Sequence, residues 1–335
     1  MQQIQKIIFK IKNDDLLTEH ECSFLAEKII NKSIDDLQIS SLLSFLYIKG
    51  ESYSEIYSFV KVLRKKMKRI NLEGTIMDTC GTGGDHKNSF NFSTATSIVL
   101  SACDVKIAKH GNRSVTSKSG SFDLLESLGI NIDLNSSDTK KYFKKHNICF
   151  LFAPKYHSIL KNLSEIRKSL PFRTIFNLLG PLLNPINLKY QLLGVSEEKN
   201  LMTHAKCISR LKLKKAWIVH NLNGYDELTT TSNNIFIEIR NGKIGRKKVL
   251  NPKDYGFKLR HEKELKGGSP TENKFILKRV FEGETGAIRD NIVFNSAAGL
   301  LVSEKVKTLK EGIKIVENKI DNGTVLKKLY TLGAN

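Results

Sequence analysis

Three short segments of this chain concentrate residue types that bind anions and hard cations. The first is CGTGGD at 80–85, followed by Asn91, Phe92, Ser93 and Thr94. Glycines let backbone N–H groups approach an anion closely, and a helix beginning near Ser93 adds free donors and partial positive charge, so a diphosphate fits there. Such a loop is also what a tight turn looks like, and it matches neither the P-loop nor the dinucleotide fingerprint. The second segment is Lys109, His110, Gly111, Asn112 and Arg113, running through Ser114, Val115, Thr116 and Ser117 to Ser121. Two cations, several hydroxyls and an amide in one loop suit a phosphate and a ribose hydroxyl, with a solvated basic loop as the plainer alternative. The third is the adjacent pair Asp226 and Glu227, hard oxygen ligands of the kind magnesium takes alongside substrate phosphates. A solvated acidic pair would look the same.

The elements around these segments decide between the alternatives. From the start to about residue 70 the pattern is helical. Ile4, Ile7, Ile8 and Ile11 recur at helical spacing, and Thr18 with Glu21 forms a capping box. Ser33 opens a helix whose stripe, Leu37, Leu42, Leu43 and Leu46, stops near Gly50. Ser52 with Glu55 opens another, carrying Tyr57, Phe59, Val60 and Leu63. At Gly74 the character changes. A strand over 75–80 leads into the glycine cluster and a helix over 93–103, and a strand over 105–108 leads into the basic segment and a helix near Ser121. Runs at 148–152 and 215–220 are further strands, the last followed by the loop carrying Asp226. Strands alternating with helices predict a parallel or mixed sheet covered on its faces. Ligands of such sheets lie beyond the strand C-termini, so all three segments are expected at one edge.

A chain of 335 residues has room for about two domains. Its net charge of +20 would attract any polyanion, but the lysines are dispersed and no RNP, zinc-finger or arginine-rich motif appears. A solvated lysine surface and no specific nucleic-acid partner are expected. Cys22, Cys80, Cys103, Cys149 and Cys207 form no CxxC pair, which suits a reducing cytoplasm. Without an apolar run near the roughly 20 residues of a membrane span, neither an anchor nor a signal peptide is expected.

Together with RTIFNLLGPLLNP at 173–185, the three segments resemble the anthranilate phosphoribosyltransferase family, over essentially the whole chain. The resemblance implies an α/β fold similar to that of nucleoside phosphorylases. A small all-helical domain over 1–70 would precede an α/β catalytic domain over 71–335, with a central, mostly parallel sheet flanked by helices and part of 155–190 packing with the helical domain as a hinge. It implies transfer of the phosphoribosyl group of 5-phosphoribosyl diphosphate (PRPP) to anthranilate, in tryptophan biosynthesis, with the substrates meeting between the domains. The acidic PRPP motif of the commoner phosphoribosyltransferases is absent, as it is in this family.

By position the resemblance makes Gly81, Gly84, Asp85, Ser89, Asn91, Phe92, Ser93 and Thr94 contacts of PRPP. Lys109, His110, Gly111, Asn112, Arg113, Ser114, Val115, Thr116, Ser117 and Ser121 complete that set. Ser93, Asp226 and Glu227 become ligands of magnesium, with two ions per monomer. Anthranilate falls to Gly81, Asn112, His157, Arg167 and Gly180, with the Arg167 guanidinium gripping its carboxylate as a fork. For Arg167 the bland alternative is an exposed helical arginine, and for His157 a cap or pocket wall. No catalytic acid or base is implied, and family members are commonly homodimers through the helical domain. Ser89 stands where relatives often carry Thr, Asn221 where a Gly is common, and 158–163 is less typical than its surroundings. A pyrimidine nucleoside phosphorylase shares the fold class, but GTGGD, the acidic pair and LLGPLLNP weigh against it. A nucleic-acid-binding relative of the fold would use the positive charge, yet has little reason to keep a diphosphate cradle and a metal pair.

Overall fold

Local capping chemistry sets the first helices, in a computed structural model that describes residues 2–13, 15–114 and 118–333. α1 (Gln2–Lys12) buries Ile4, Ile7 and Ile11. α2 (Glu19–Ile30) starts at Thr18, whose hydroxyl accepts from the Glu21 N–H while the Glu21 carboxylate accepts from the Thr18 N–H, so two otherwise orphaned donors are satisfied. α3 (Asp36–Lys49) departs from expectation. Its cap is Asp35 rather than Ser33, because the Asp35 carboxylate accepts from the Gln38 N–H at 2.8 Å. Ile39, Leu42, Leu43 and Leu46 face inward, and Leu37, expected in the apolar stripe, is 81% exposed. α4 (Tyr53–Lys66) repeats the capping box with Ser52 and Glu55.

The glycine-rich half begins with β1 (Ile76–Gly81), α5 (Phe92–Ala102), β2 (Lys106–Gly111), α6 (Ser121–Ser127), α7 (Ser136–His146) and β3 (Ile148–Phe152). Two short helices follow, α8 (Ala153–Tyr156) and α9 (Ser164–Ser169), then β4 (Tyr190–Gly194), α10 (Asn200–Arg210), β5 (Lys215–Asn221), β6 (Asn234–Arg240) and β7 (Lys243–Leu250). The chain closes with α11 (Pro270–Phe281), α12 (Ala287–Val302), α13 (Leu309–Asp321) and α14 (Thr324–Gly333). Two compact units result: Met1–Arg69 with Ala153–Pro185, and Ile70–Phe152 with Ile186–Asn335. In the first, the Arg64 guanidinium of α4 donates to the carbonyls of Leu182 at 3.1 Å and Asn184 at 3.3 Å, fixing the LLGPLLNP run. Among the described residues no helix is long and apolar enough to cross a membrane.

The second unit is built on a seven-stranded sheet of order β3-β2-β1-β4-β5-β6-β7. Strands β3 to β5 in that order are parallel, and β6 and β7 run antiparallel, so the sheet is mixed and mostly parallel. The connection leaving β1 goes one way along the sheet and that leaving β4 the other, which opens a crevice at their C-termini. Register puts the strand ends at one edge: Gly81 pairs with Gly194, and Gly111 with Phe152. β2 runs past the expected end at Ala108, because Lys109, His110 and Gly111 pair with Phe150, Leu151 and Phe152 of β3. Lys109 and His110 are therefore buried strand residues, 2% and 3% exposed, and the basic loop begins only at Asn112. α5 and α12 are buried nearly all round, as helices without a polar face must be, and α5 points its N-terminus at the crevice mouth.

Candidate active site

The crevice holds a cavity of about 300 Å³ whose lining comes from the glycine loop, Ser93 at the start of α5, Ser119 before α6 and Ser121 at its start, and the acidic pair. Gly83 and Gly84 take φ of 65° and 71°, and His86 and Asn88 take 55° and 51°. Alternation of left-handed residues in a loop turns successive N–H groups to one side, the geometry of an anion-binding concavity. The far end of the loop is zipped to 265–267: the Phe90 N–H donates to Leu265 and the Gly267 N–H to Asn88, both at 2.9 Å.

The loop after β5 folds back over the strand ends, and two glycines admit it. A Cβ on Gly81 would lie 2.1 Å from Asp226 Oδ2, and one on Gly194 would lie 1.5 Å from the Asp226 carbonyl oxygen. Asp226 Oδ2 accepts from the Gly83 N–H at 2.6 Å, tying the acidic loop to the glycine loop. Glu227 lines the same cavity as Ser93 at the start of α5, so it lies near the positive end of that helix. α12 holds the next residues: Asn295 Oδ1 accepts from the Leu228 N–H at 3.1 Å while its Nδ2 donates to the Leu228 carbonyl at 2.7 Å, and Asn291 Oδ1 accepts from the Thr230 N–H at 2.8 Å.

Burial pushes the Glu227 carboxyl well above the usual carboxylate range, the Asp226 and Asp85 charges push the same way, and Lys109 pulls against them. Lys109 is buried beneath the loop, donating to the Thr79 carbonyl at 2.7 Å and to Ser93 Oγ at 3.1 Å. Among the described residues no cluster of three or more His, Cys, Asp or Glu forms a metal cage. Magnesium does not need one, since it commonly takes one or two carboxylates and leaves the rest to phosphates and water. Two adjacent, partly buried carboxylates on the same cavity as Asp85, with the buried Lys109 to offset them, are a donor set that a divalent cation fits.

Of the residues marked by sequence, Gly81, Gly84, Asp85, Ser89, Asn91, Ser93, Ser121, Asp226 and Glu227 line this cavity. Phe92 and Thr94 are fully buried beneath it, and the His110 N–H donates to Asp78 Oδ1 at 3.3 Å within the sheet. Past Gly111, the Asn112 carbonyl accepts from Ser121 Oγ at 3.1 Å and the Ser114 N–H donates to Asp123 Oδ2 at 2.9 Å. The Arg113 guanidinium makes two hydrogen bonds to Glu126, at 2.9 and 2.8 Å, and lies over the Phe152 ring. Val115, Thr116 and Ser117 lie outside the described residues. His157, Arg167 and Gly180 belong to the first unit, and Gly81 and Asn112 to the second. The buried His157 ring caps no helix; its Nε2–H donates to the Leu183 carbonyl at 3.0 Å. Burial, opposed by that bond, lowers the His157 pKa to about 4. Arg167 is not a free surface arginine: its guanidinium lies 5.3 Å from the centre of the Phe176 ring, and burial lowers its pKa. A Cβ on Gly180 would meet nothing within 4 Å, so packing does not demand glycine there.

Residues 5–67 match the helical bundle domain of a glycosyl transferase family, and residues 73–326 match its a/b domain. An anthranilate phosphoribosyltransferase of Petrotoga mobilis is 44% identical over 321 residues, covering 96% of this chain and 93% of that protein. The chain belongs to the anthranilate phosphoribosyltransferase family. The crystal structure of the family member from Thermus thermophilus matches with a TM-score of 0.89 at 30% identity, over 99% of this chain and 98% of that one. The family member from Saccharomyces cerevisiae in complex with PRPP and Mg matches with a TM-score of 0.88 at 28% identity, over 98% and 96%.

Within this member of the family, several residues that shape the cavity carried no motif. Gly83, His86, Asn88, Phe90 and Ser119 line it beside the marked residues. Gly194, Asn291 and Asn295 hold the acidic loop, and Asp123 receives the N–H groups of Ser114 and Gly120 at 2.9 and 2.8 Å. Gly194 had a legible signal, since it follows YQLL as Gly81 follows IMDTC and Gly111 follows KIAKH, each glycine closing a short strand. The asparagines had none in a chain so rich in asparagine.

Proposed function

We propose that this chain transfers the phosphoribosyl group of PRPP to anthranilate, yielding N-(5-phosphoribosyl)anthranilate and diphosphate, as a pentosyltransferase of tryptophan biosynthesis. The observation that carries this reading is the convergence of a glycine loop, a helix N-terminus and an adjacent carboxylate pair on one cavity of about 300 Å³ at the switch point of the sheet. Nitrogen attack at ribose C1 breaks the bond to diphosphate, and the amine proton then passes to solvent. The aromatic amine is largely unprotonated at neutral pH, so no strong base is required, and rate comes from positioning and from neutralising the departing anion. The glycine loop and the N-terminus of α5 are assigned to the diphosphate, as donors fixed before the charge develops. Lys109 adds a buried positive charge below them. Arg167 is assigned to the anthranilate carboxylate, and Gly81, Asn112, His157 and Gly180 are assigned to anthranilate as well; the His157 ring is neutral because burial holds its pKa near 4. Ser93, Asp226 and Glu227 would hold magnesium, two ions per monomer, which when bound offsets the charge on the leaving diphosphate.

The same reading carries a homodimer, residence in the cytoplasm, and a boundary near residue 70 with part of 155–190 working with the helical domain. Its test is the loss of anthranilate fluorescence on mixing protein, PRPP and magnesium. The loss should require all three and stop on adding EDTA. Anthranilate fluorescence unchanged by PRPP, with the protein folded and magnesium present, overturns the reading.

A further inference from the structure

Asn91 is the N-cap residue of α5, yet its side chain makes no hydrogen bond to that helix. An N-cap asparagine ordinarily accepts from the second or third helical N–H, which here means Ser93 or Thr94. Instead Asn91 Oδ1 accepts from Asn273 Nδ2 at 2.8 Å and, at the longer distance of 3.4 Å, from Ser119 Oγ, and Asn91 Nδ2 donates to the Ser119 carbonyl at 3.1 Å. Asn273 sits in α11, is 1% exposed, and its Oδ1 accepts from the Gly268 N–H at 2.8 Å. One buried amide thus joins the end of the glycine loop to the segment entering α11, and through Asn91 to the loop before α6. The consequence lies at the helix terminus: the Asn91 side chain leaves α5 uncapped, and Ser93 at the start of that helix lines the cavity with Glu227.

We propose that Asn273 is a positioning residue for the PRPP site, resting on the function proposed above. By drawing the Asn91 side chain off its own helix, Asn273 leaves the N-terminus of α5 open to the substrate anion. Without it, the Asn91 amide swings back to cap α5 and competes with the substrate anion for the first N–H groups of that helix. Residue types explain the choice, since only a side chain with both a donor and an acceptor holds Asn91 and Gly268 at once.

The test is a cycle of N273A, N91A and the double variant, read by calorimetric titration of PRPP with magnesium, by steady-state kinetics in both substrates, and by thermal unfolding. N273A should raise the PRPP Kd and KM about 3- to 10-fold, the range of one neutral hydrogen bond, with the anthranilate KM unchanged within two-fold. The Asn273 effect should vanish once Asn91 has no amide to swing, so the double variant should match N91A. N273D keeps an acceptor for the Gly268 N–H and so holds the fold. It is run through the same cycle, where repulsion of PRPP by the new charge would persist in the N91A background and the proposed effect would not. The proposal is overturned if either substitution at 273 leaves PRPP affinity within two-fold of wild type, or if its effect is undiminished beside N91A. Absence of PRPP-dependent turnover in the wild-type protein would instead overturn the function itself.

Discussion

Replacing Gly194 by alanine tests whether the acidic loop is placed by close approach to the strand ends. The new Cβ would stand 1.5 Å from the Asp226 carbonyl oxygen and 2.4 Å from its carbon. A close C···O contact needs roughly 3.3 Å, so the two must separate by about 2 Å. β4 cannot yield, because all five of its residues are buried and it is paired on both sides, with β1 and with β5. Gly194 has no positive φ, so alanine is not resisted by the backbone itself and the whole penalty falls on the contact. The loop must therefore lift, stretching the 2.6 Å bond from the Gly83 N–H to Asp226 Oδ2 and moving both carboxylates. Overpacking of this kind costs about 1–3 kcal/mol, and displacement of a substrate-positioning group by about 1 Å costs roughly 100-fold in rate. The expected result is a folded protein with a Tm lower by several degrees and kcat/KM down about 100-fold, measured by anthranilate fluorescence with PRPP and magnesium. Gly81→Ala provides the contrast: its Cβ meets the Asp226 side-chain oxygen at 2.1 Å, which a χ rotation relieves, so stability should suffer less while activity still falls. Wild-type kcat/KM and Tm in Gly194→Ala would refute the reasoning.

Arg167→Ala should raise the anthranilate KM about 10- to 150-fold, the loss of a charge-assisted contact of about 1.5–3 kcal/mol, and leave the PRPP KM within two-fold; equal effects on both substrates in steady-state kinetics would remove Arg167 from the carboxylate. Gly180→Ala should keep or slightly raise the Tm, because nothing lies within 4 Å of the added carbon, while weakening anthranilate; an unchanged anthranilate KM would free Gly180 of its role. His157 titrates near 4 in the fold against about 6.5 when exposed, so between those values the unfolded chain binds the extra proton and stability falls as pH drops. The full loss is about 3 kcal/mol, present below about pH 4 and absent above about pH 6.5. His157→Gln should flatten that part of the stability profile in denaturant titrations, and an unaltered slope would contradict the buried neutral ring.

Much of this architecture follows from short-range chemistry that a sequence displays. The capping boxes at Thr18 and Ser52 depend on residues three apart, so their spacing is the structure. The glycine cluster, the acidic pair and the strand–loop–helix order mark one edge of a sheet because parallel strands leave their C-termini on the same side. Cap competition is already less legible: Ser33 and Asp35 both qualify as caps, and only the 2.8 Å bond from the Gln38 N–H to Asp35 decides between them. β4, YQLLG, is a short apolar run that periodicity cannot assign to strand or helix, and it becomes a strand by pairing with β1 and β5. Lys109 looked like a loop cation until register with Phe150 drew it into the sheet, where a buried ammonium must find partners and does so at Thr79 and Ser93. Arg113 looked free for phosphate, and its fork is occupied by Glu126. The grip of Asn295 on Leu228 spans 67 positions and that of Asn273 on Asn91 spans 182. Hydrogen bonds between residues so distant in the chain leave no spacing to read, because only packing of the helices against the sheet brings donor and acceptor within about 3 Å.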